Sequence, residues 1–421
     1  MVAAILALLP FHAFFTTWAG SNTGHLDLWR VWKEAAIVLI AGPTLWLAWR
    51  QPSLRQWLKT SWLVRLYLIY ILVYLSRGAW ALAAGRVNSE AFTYSLLINL
   101  RFVGFFIVCY LLAALTPALY RNWRKILLLP AVVVVTFGLA QKLILPLDFL
   151  KHFGYGADTI PAYQTVDNRL DYQRIQSTLR GANPLGAYMA LVIPTVVATL
   201  RKKRSLLAVA VLAAGTTLFL SQSRSAWIGA GLALAVVTYM SLGTSGARRK
   251  AAIALIAVSL LITGMVYTIR NNDSFDDFIL HTSEQSTSPK TSNEVRIKSL
   301  KNGVSDIVNQ PLGGGPGTAG PASVRNSEAK PRISENYFLQ TGQEVGIAGL
   351  LLFLALNAGV IRQLWQRKHT DLVRVLLASW VGITFINLVS HAWADDTVSL
   401  LWWGLAGIAL APVILADRLK T

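Results

Sequence analysis

Residues 92–116 read FTYSLLINLRFVGFFIVCYLLAALT, an apolar run broken by one charge, Arg101. A helix needs about 20 such residues to cross the hydrocarbon core of a bilayer, and this run is long enough. Working outward, runs of the same kind fall at 2–19, 34–49, 61–84, 126–146, 183–200, 205–221, 225–243, 251–269, 336–361, 375–394 and 398–416. The first is long for a signal-peptide core and has no clear small-residue cleavage site, so it reads as a helix. The pattern predicts an all-α integral membrane protein with about twelve transmembrane helices. Residues 1–421 then form one polytopic membrane domain, with extracytoplasmic loops at 147–182 and, larger, at 270–335.

Composition agrees. Hydrophobic residues make up 54 % and charged residues only 14 %, with a mean hydropathy of +0.48. Collagen, disordered tails, disulfide scaffolds and small zinc modules are excluded. The single cysteine, Cys109, lies in an apolar run and has no partner for a disulfide. The formal net charge is +19, which in a soluble chain would suggest nucleic acid. Here it follows topology. With the N-terminus cytoplasmic, one face collects Arg50, Arg55, Lys59 and Arg65; Arg121, Arg124 and Lys125; Arg201 to Arg204; Arg248 to Lys250; Arg362, Arg367, Lys368 and Arg374; and Arg418 and Lys420. Only Asp371 and Asp417 oppose them there. Every loop then obeys the positive-inside rule, with both termini cytoplasmic. The surplus fixes orientation and does not call for a nucleic acid.

Three helices are expected to begin at the outer face with polar groups. One opens Arg180-Gly-Ala-Asn183-Pro184, with Asn183 a good N-cap and Pro184 suited to the first helical position. The second opens Ser221-Gln-Ser223-Arg224-Ser225-Ala-Trp227, and the third Ser334-Glu335-Asn336-Tyr337. Helix N-termini carry free N–H groups and partial positive charge. With Arg180 and Arg224 beside them they favour an anion such as a diphosphate. For any one arginine, capping and snorkelling explain as much; the convergence of the set on one face favours a site.

In the larger loop, Ile297, Leu300, Val304 and Ile307 form an amphipathic helical stripe suited to the outer membrane surface. Arg296, Lys298 and Lys301 would lie near headgroups, and periodicity does not say whether Arg296 faces a ligand. Arg101 and Glu344 each lie nine residues into an apolar run, about 13 Å deep. Buried intramembrane charges have a partner or a function, and equal depth predicts that these two pair, with a direct substrate role for Arg101 the alternative. The run Gly313-Gly-Gly315-Pro316-Gly317 reads as a turn before a phosphate cradle. Asp276-Asp277 and Asp395-Asp396 lack flanking ligands at metal spacing. His25, His152, His281 and His391 are scattered and read as solvent or interfacial residues. There is no P-loop and no Gly-x-Ser-x-Gly elbow.

These blocks resemble the O-antigen ligase / O-antigen polymerase family of bacterial membrane glycosyltransferases. Arg180 to Tyr188 is similar to the family's Asn-Pro helix start, and Ser221 to Trp227 to its Ser-Arg-Ser block. Arg296-Ile297 with Pro311 to Gly317 resembles its outer-loop segment. Ser334 to Gln340 with Glu344 to Leu350 resembles its closing motif. The likeness spans roughly residues 180–350. The chain departs from the ligases at one position, having Glu335 where they typically carry His; polymerase-like members often have an acidic residue there.

The resemblance implies a GT-C-like enzyme in the bacterial inner membrane, its site facing the periplasm. It would move a glycan from a polyprenyl (undecaprenyl) diphosphate carrier to a lipid-anchored acceptor such as lipid A–core. Polymerisation onto another carrier-linked glycan is the alternative. No nucleotide sugar, metal or other cofactor is implied. Arg224 and Arg296 would hold the diphosphate, assisted by Arg180, and Glu335 would serve the acceptor hydroxyl. Asn183, Ser223, Asn336, Tyr337 and Arg101 are further candidate substrate contacts. A rival class is the secondary transporter or lipid-linked sugar flippase, which shares the twelve-helix layout. Such proteins usually have related halves, and none is evident here.

Overall fold

The computed structural model describes residues 1–166, 169–243, 246 and 292–411. The expected run at 251–269, the pair Asp276-Asp277, His281 and the basic residues Arg248 to Lys250, Arg418 and Lys420 lie outside the described residues.

Each expected apolar run on the described residues meets a helix. The helices are α1 (Val2–Thr23, tightened at Leu9–Phe11 around Pro10), α2 (Trp32–Arg50), α3 (Trp62–Ala83), α4 (Ser89–Leu115) and α5 (Ala118–Leu143). After a loop come α6 (Ala182–Leu200), α7 (Arg204–Leu220) and α8 (Arg224–Ser241). Then follow α9 (Ser292–Asn309), α10 (Tyr337–Gln366), α11 (Asp371–Asn387) and α12 (Asp396–Leu410). Among the described helices, α1, α3, α4, α5, α6 and α10 are long and apolar enough to cross a membrane, and α7 and α12 are apolar but shorter. The chain is a mainly helical, multi-pass membrane protein.

The purely helical expectation needs one correction. The 147–182 segment contains an antiparallel hairpin, β1 (Gln164–Val166) with β2 (Arg169–Arg174), in which Gln164 pairs with Arg174. Two boundaries also move. Helix α5 starts at Ala118, so Arg121, Arg124 and Lys125 ride on its first turns. Helix α11 stops at Asn387, because the Asn387 side chain accepts from the Trp393 amide at 2.9 Å and turns the chain away. That frees residues 388–395 as a loop.

The core lies between α4, α6, α10, α11 and α12. Small residues let the helices close up. Gly229 of α8 and Gly382 of α11 meet backbone to backbone, and Gly407 of α12 rests on the Phe106 carbonyl of α4. Trp402 and Trp403 fill the space beside Trp393, with ring centroids 5.4 Å apart for Trp393–Trp402 and for Trp402–Trp403. The periphery is apolar too: Val38 and Leu39 on α2, Val132 on α5 and Leu212 on α7 all point outward. Large outward apolar surface of this kind suits lipid.

The two ends of the bundle differ. At one end Asp371 accepts from Arg124 at 3.0 Å, and Arg201 and Arg374 lie 3.2 and 3.6 Å from it. Helices α6 and α11 run from this basic end to the other, where Asn183 and the 388–395 loop sit. Three of the segments grouped by charge in the sequence, those of Arg124, Arg201 and Arg374, therefore meet at one end.

Candidate functional site

At the end opposite the basic loops lies a cleft of about 240 Å³ lined by Arg180, Asn183, Glu335, His391 and Asp395, among others. Four segments build it. Gln164 of β1 caps α6, its side-chain oxygen accepting from the Ala182 amide at 2.9 Å. This corrects the sequence reading: Asn183 lies within the first turn, and the cap comes from the hairpin. Asn183 instead accepts from Arg174 Nη2 at 2.6 Å, while Arg174 Nε donates to the Ser221 carbonyl at 2.9 Å. Arg174 thus ties the starts of α6 and α8 together. Nothing in the sequence flagged it, because its partners lie on other elements.

Helix α10 begins where expected. Asn336 is its N-cap, accepting from the Leu339 amide at 3.0 Å and donating to the Leu388 carbonyl at 2.8 Å. The Tyr337 amide donates to the Ser390 carbonyl at 3.1 Å. These bonds hold the 388–395 loop against α10, so that His391 and Glu335 line one cleft. Glu335 has φ 53°, and Gln222, just before Ser223 and Arg224, has φ 49°. Left-handed non-glycine backbone costs about 1–3 kcal/mol and persists where the surroundings impose it.

His391 is the residue that sequence reading missed. It was expected in solvent or at an interface, and it sits half-buried in the cleft. Burial pushes its pKa down, the Glu335 carboxylate opposes that shift, and the Arg180 and Arg296 charges reinforce it. The imidazole is therefore neutral at neutral pH. Asp395 is pushed up by burial, opposed by the Arg180 charge. It also caps α12, accepting from the Thr397 and Val398 amides. Arg180 approaches it only to 4.0 Å and is about half exposed, so this contact is weak.

The other predicted residues fall into two groups. Arg296 of α9 lies on the face with Leu300, Gly303 and Ile307, spaced 4, 3 and 4 residues apart. Gly303 packs on Ser334 and Leu339, and Ile307 on Gly342. That directs Arg296 toward the cleft, where its charge reaches His391. Ile297 and Val304, two of the four residues of the amphipathic stripe expected on the outer membrane surface, are exposed beside Val308. Arg224 begins α8 just below Asn183, where Gly186 lets Ser223 and Ala226 approach α6. Ser223 is buried in that packing. Tyr337 is fully buried and donates to Asn99 at 2.8 Å, so it anchors α10 and does not line the cleft.

The expected Arg101–Glu344 pair is not formed. Ser95 and Asn99 share one face of α4, and Arg101, two residues on, points the other way. Glu344 is bound by Ser95 Oγ at 2.8 Å, Asn99 Nδ2 at 2.9 Å and the Gly317 amide at 2.8 Å. Arg101 is bound by Glu34 at 2.8 Å and by Asp396. The glycine run is a turn, as its residues suggest. Its Gly314 and Gly315 amides donate to the carbonyls of Gln343 and Glu344, where α10 breaks at Gly346 (φ 71°). Those amides are taken by protein and leave no phosphate cradle.

Among the described residues no cluster of His, Cys, Asp and Glu is arranged to hold a metal. No curated protein matches the chain. Residues 208–354, from within α7 to beyond the middle of α10, match the family model described as O-antigen ligase. Over that segment, about a third of its length, the chain is similar to the O-antigen ligase family.

Proposed function

We propose that the cleft transfers a glycan from a polyprenyl diphosphate carrier to the hydroxyl of a lipid-anchored sugar, as an O-antigen ligase does, on the outer face of the inner membrane. The observation that carries this reading is the convergence of Arg180, Glu335 and His391 on one cleft, with Arg296 acting on it from α9. Arg224 and Arg296 bind the diphosphate, since guanidinium stays charged and pairs bidentately with phosphate oxygens. Glu335 takes the proton of the acceptor hydroxyl, and neutral His391 orients that hydroxyl with its ring nitrogens. The acceptor oxygen bonds to the anomeric carbon as the carbon–phosphate oxygen bond breaks. The diphosphate leaves with the electron pair, stabilised by the arginines. A single displacement of this kind inverts the sugar and draws on the chain's own side chains.

The test is transfer by purified protein carrying Arg224→Lys, Arg296→Lys or Glu335→Gln. Each is expected to fold and to lose about 100-fold or more in turnover, on the scale of one lost electrostatic or general-base contribution. Full turnover by Glu335→Gln would remove the proton-accepting role. Acceptance of a carrier-linked glycan in place of lipid A–core would favour the polymerase of the same family, a reading that Glu335 in place of His supports.

A further inference from the structure

Beside the cleft lies a second cavity of about 330 Å³, formed mostly by the N-terminal helices outside the matched segment. Arg180 and Asp395 line both cavities. The two cavities adjoin at this pair, and a ligand that spans both displaces the half-exposed Arg180 side chain from its weak 4.0 Å contact with Asp395.

The floor of the second cavity is an ordered charge cluster. Arg101 binds Glu34 and Asp396; Lys33 lies 3.1 Å from Glu34 and 3.0 Å from Asp396. His12 accepts from the Trp32 indole N–H on Nδ1 at 2.9 Å, which leaves its Nε2–H to donate to Asp396 at 3.1 Å. Two cations thus meet two carboxylates, and the floor is balanced. A balanced floor does not select an anion. It does offer fixed donors and acceptors in alternation, and the Nε of Arg101, itself buried, has no hydrogen-bond partner. The walls add Arg30 and Arg325, paired with Asp27 and Glu90, the ring of Tyr94 with the Arg325 guanidinium 4.5 Å over its face, and the apolar surface of Leu97 and Pro161. Paired carboxylates and guanidinium beside an apolar wall match a polyhydroxylated ring, with hydroxyls toward the charges and C–H faces toward Leu97 and Pro161.

From this juxtaposition we infer that the second cavity is a saccharide subsite, holding the sugar residues of the acceptor while its reacting hydroxyl reaches Glu335 past Arg180 and Asp395. The inference rests on the transferase reading for the word acceptor. The subsite itself rests on the cavity.

Two cavity-filling variants, Leu97→Trp and Ala13→Phe, test it without touching the charge cluster or the cleft. Calorimetric titration uses purified protein and the oligosaccharides released by mild acid from the glycolipids of its own membranes. Binding is expected to weaken by about tenfold or more in both variants, and the KM for acceptor to rise by a similar factor while the KM for donor stays the same. Variants that bind the oligosaccharide and acceptor like the parent, or that raise only the donor KM, would overturn the subsite. Binding that is lost in the variants, in a protein that never releases carrier diphosphate, would uphold the subsite and sink the transferase reading instead.

Discussion

The Gly317 amide donates to the Glu344 carboxylate across 2.8 Å, fastening the turn before the last outer segment to the middle of a membrane-spanning helix. Ser95 and Asn99 complete the ring of donors around the same carboxylate. Glu344→Ala should leave three buried donors without an acceptor. The expected loss is about 3 kcal/mol or more, at about 1–3 kcal/mol for each group left unsatisfied after partial relaxation. Glu344→Gln keeps an acceptor oxygen and should cost less. Thermal unfolding of the detergent-solubilised protein ranks the two.

Arg101 joins α4 to α2 and α12 through Glu34 and Asp396. Arg101→Met leaves the two carboxylates to share Lys33 as their one remaining cation partner among the ion pairs described and should destabilise by about 1–3 kcal/mol. Adding Asp396→Asn should recover part of that loss, giving a coupling energy outside additivity. A charge exchange between Arg101 and Glu344 should give no recovery, because those residues have separate partners. Denaturation midpoints of the single and double variants measure each coupling.

Glu335 holds a left-handed backbone conformation that Asn adopts more readily. Glu335→Asn should therefore raise stability by up to about 1 kcal/mol, a fraction of the strain typical for such positions. It should also abolish transfer. A parallel melting and turnover assay separates strain from chemistry, and a variant that loses both would make Glu335 structural.

Burial holds the His391 pKa below its ordinary value of about 6.5. Between the two values the unfolded chain binds the extra proton, so stability rises with pH in that window. The contribution is complete above about pH 6.5 and is lost as the pH falls through the lower folded value. Melting temperatures from about pH 5 to about pH 7.5 should show this slope in the parent and a weaker one in His391→Gln. Turnover should fall in the same acidic range as the imidazole gains its proton. Glu335→Gln should move that limb lower still, since Glu335 is the one neighbour that raises the pKa.

What the sequence made legible is what hydropathy and loop charge encode. The apolar runs locate the helices, and the basic loops predict the end where Arg124, Arg201 and Asp371 meet. The polar starts at Asn183, Arg224 and Asn336 also reach a common end. Relations between helices were hidden. Equal depth suggested an Arg101–Glu344 pair, but depth carries no azimuth, and Ser95 and Asn99 turn α4 the other way. His391 was hidden by a boundary: hydropathy carries α11 to 394, while the Asn387 side chain ends it at 387. Arg174 and Gln164 act on α6 from a short hairpin that leaves almost no periodic signal.

A transferase cleft, as proposed, breaks a glycosyl–diphosphate bond in favour of a second sugar. The most direct measurement supplies purified protein in lipid nanodiscs with a polyprenyl-diphosphate glycan and follows free carrier diphosphate with and without acceptor. Release is expected only when acceptor is present, and is expected to be lost in Arg296→Lys. Release that ignores the acceptor, or exchange of an intact solute with no bond broken, would contradict it.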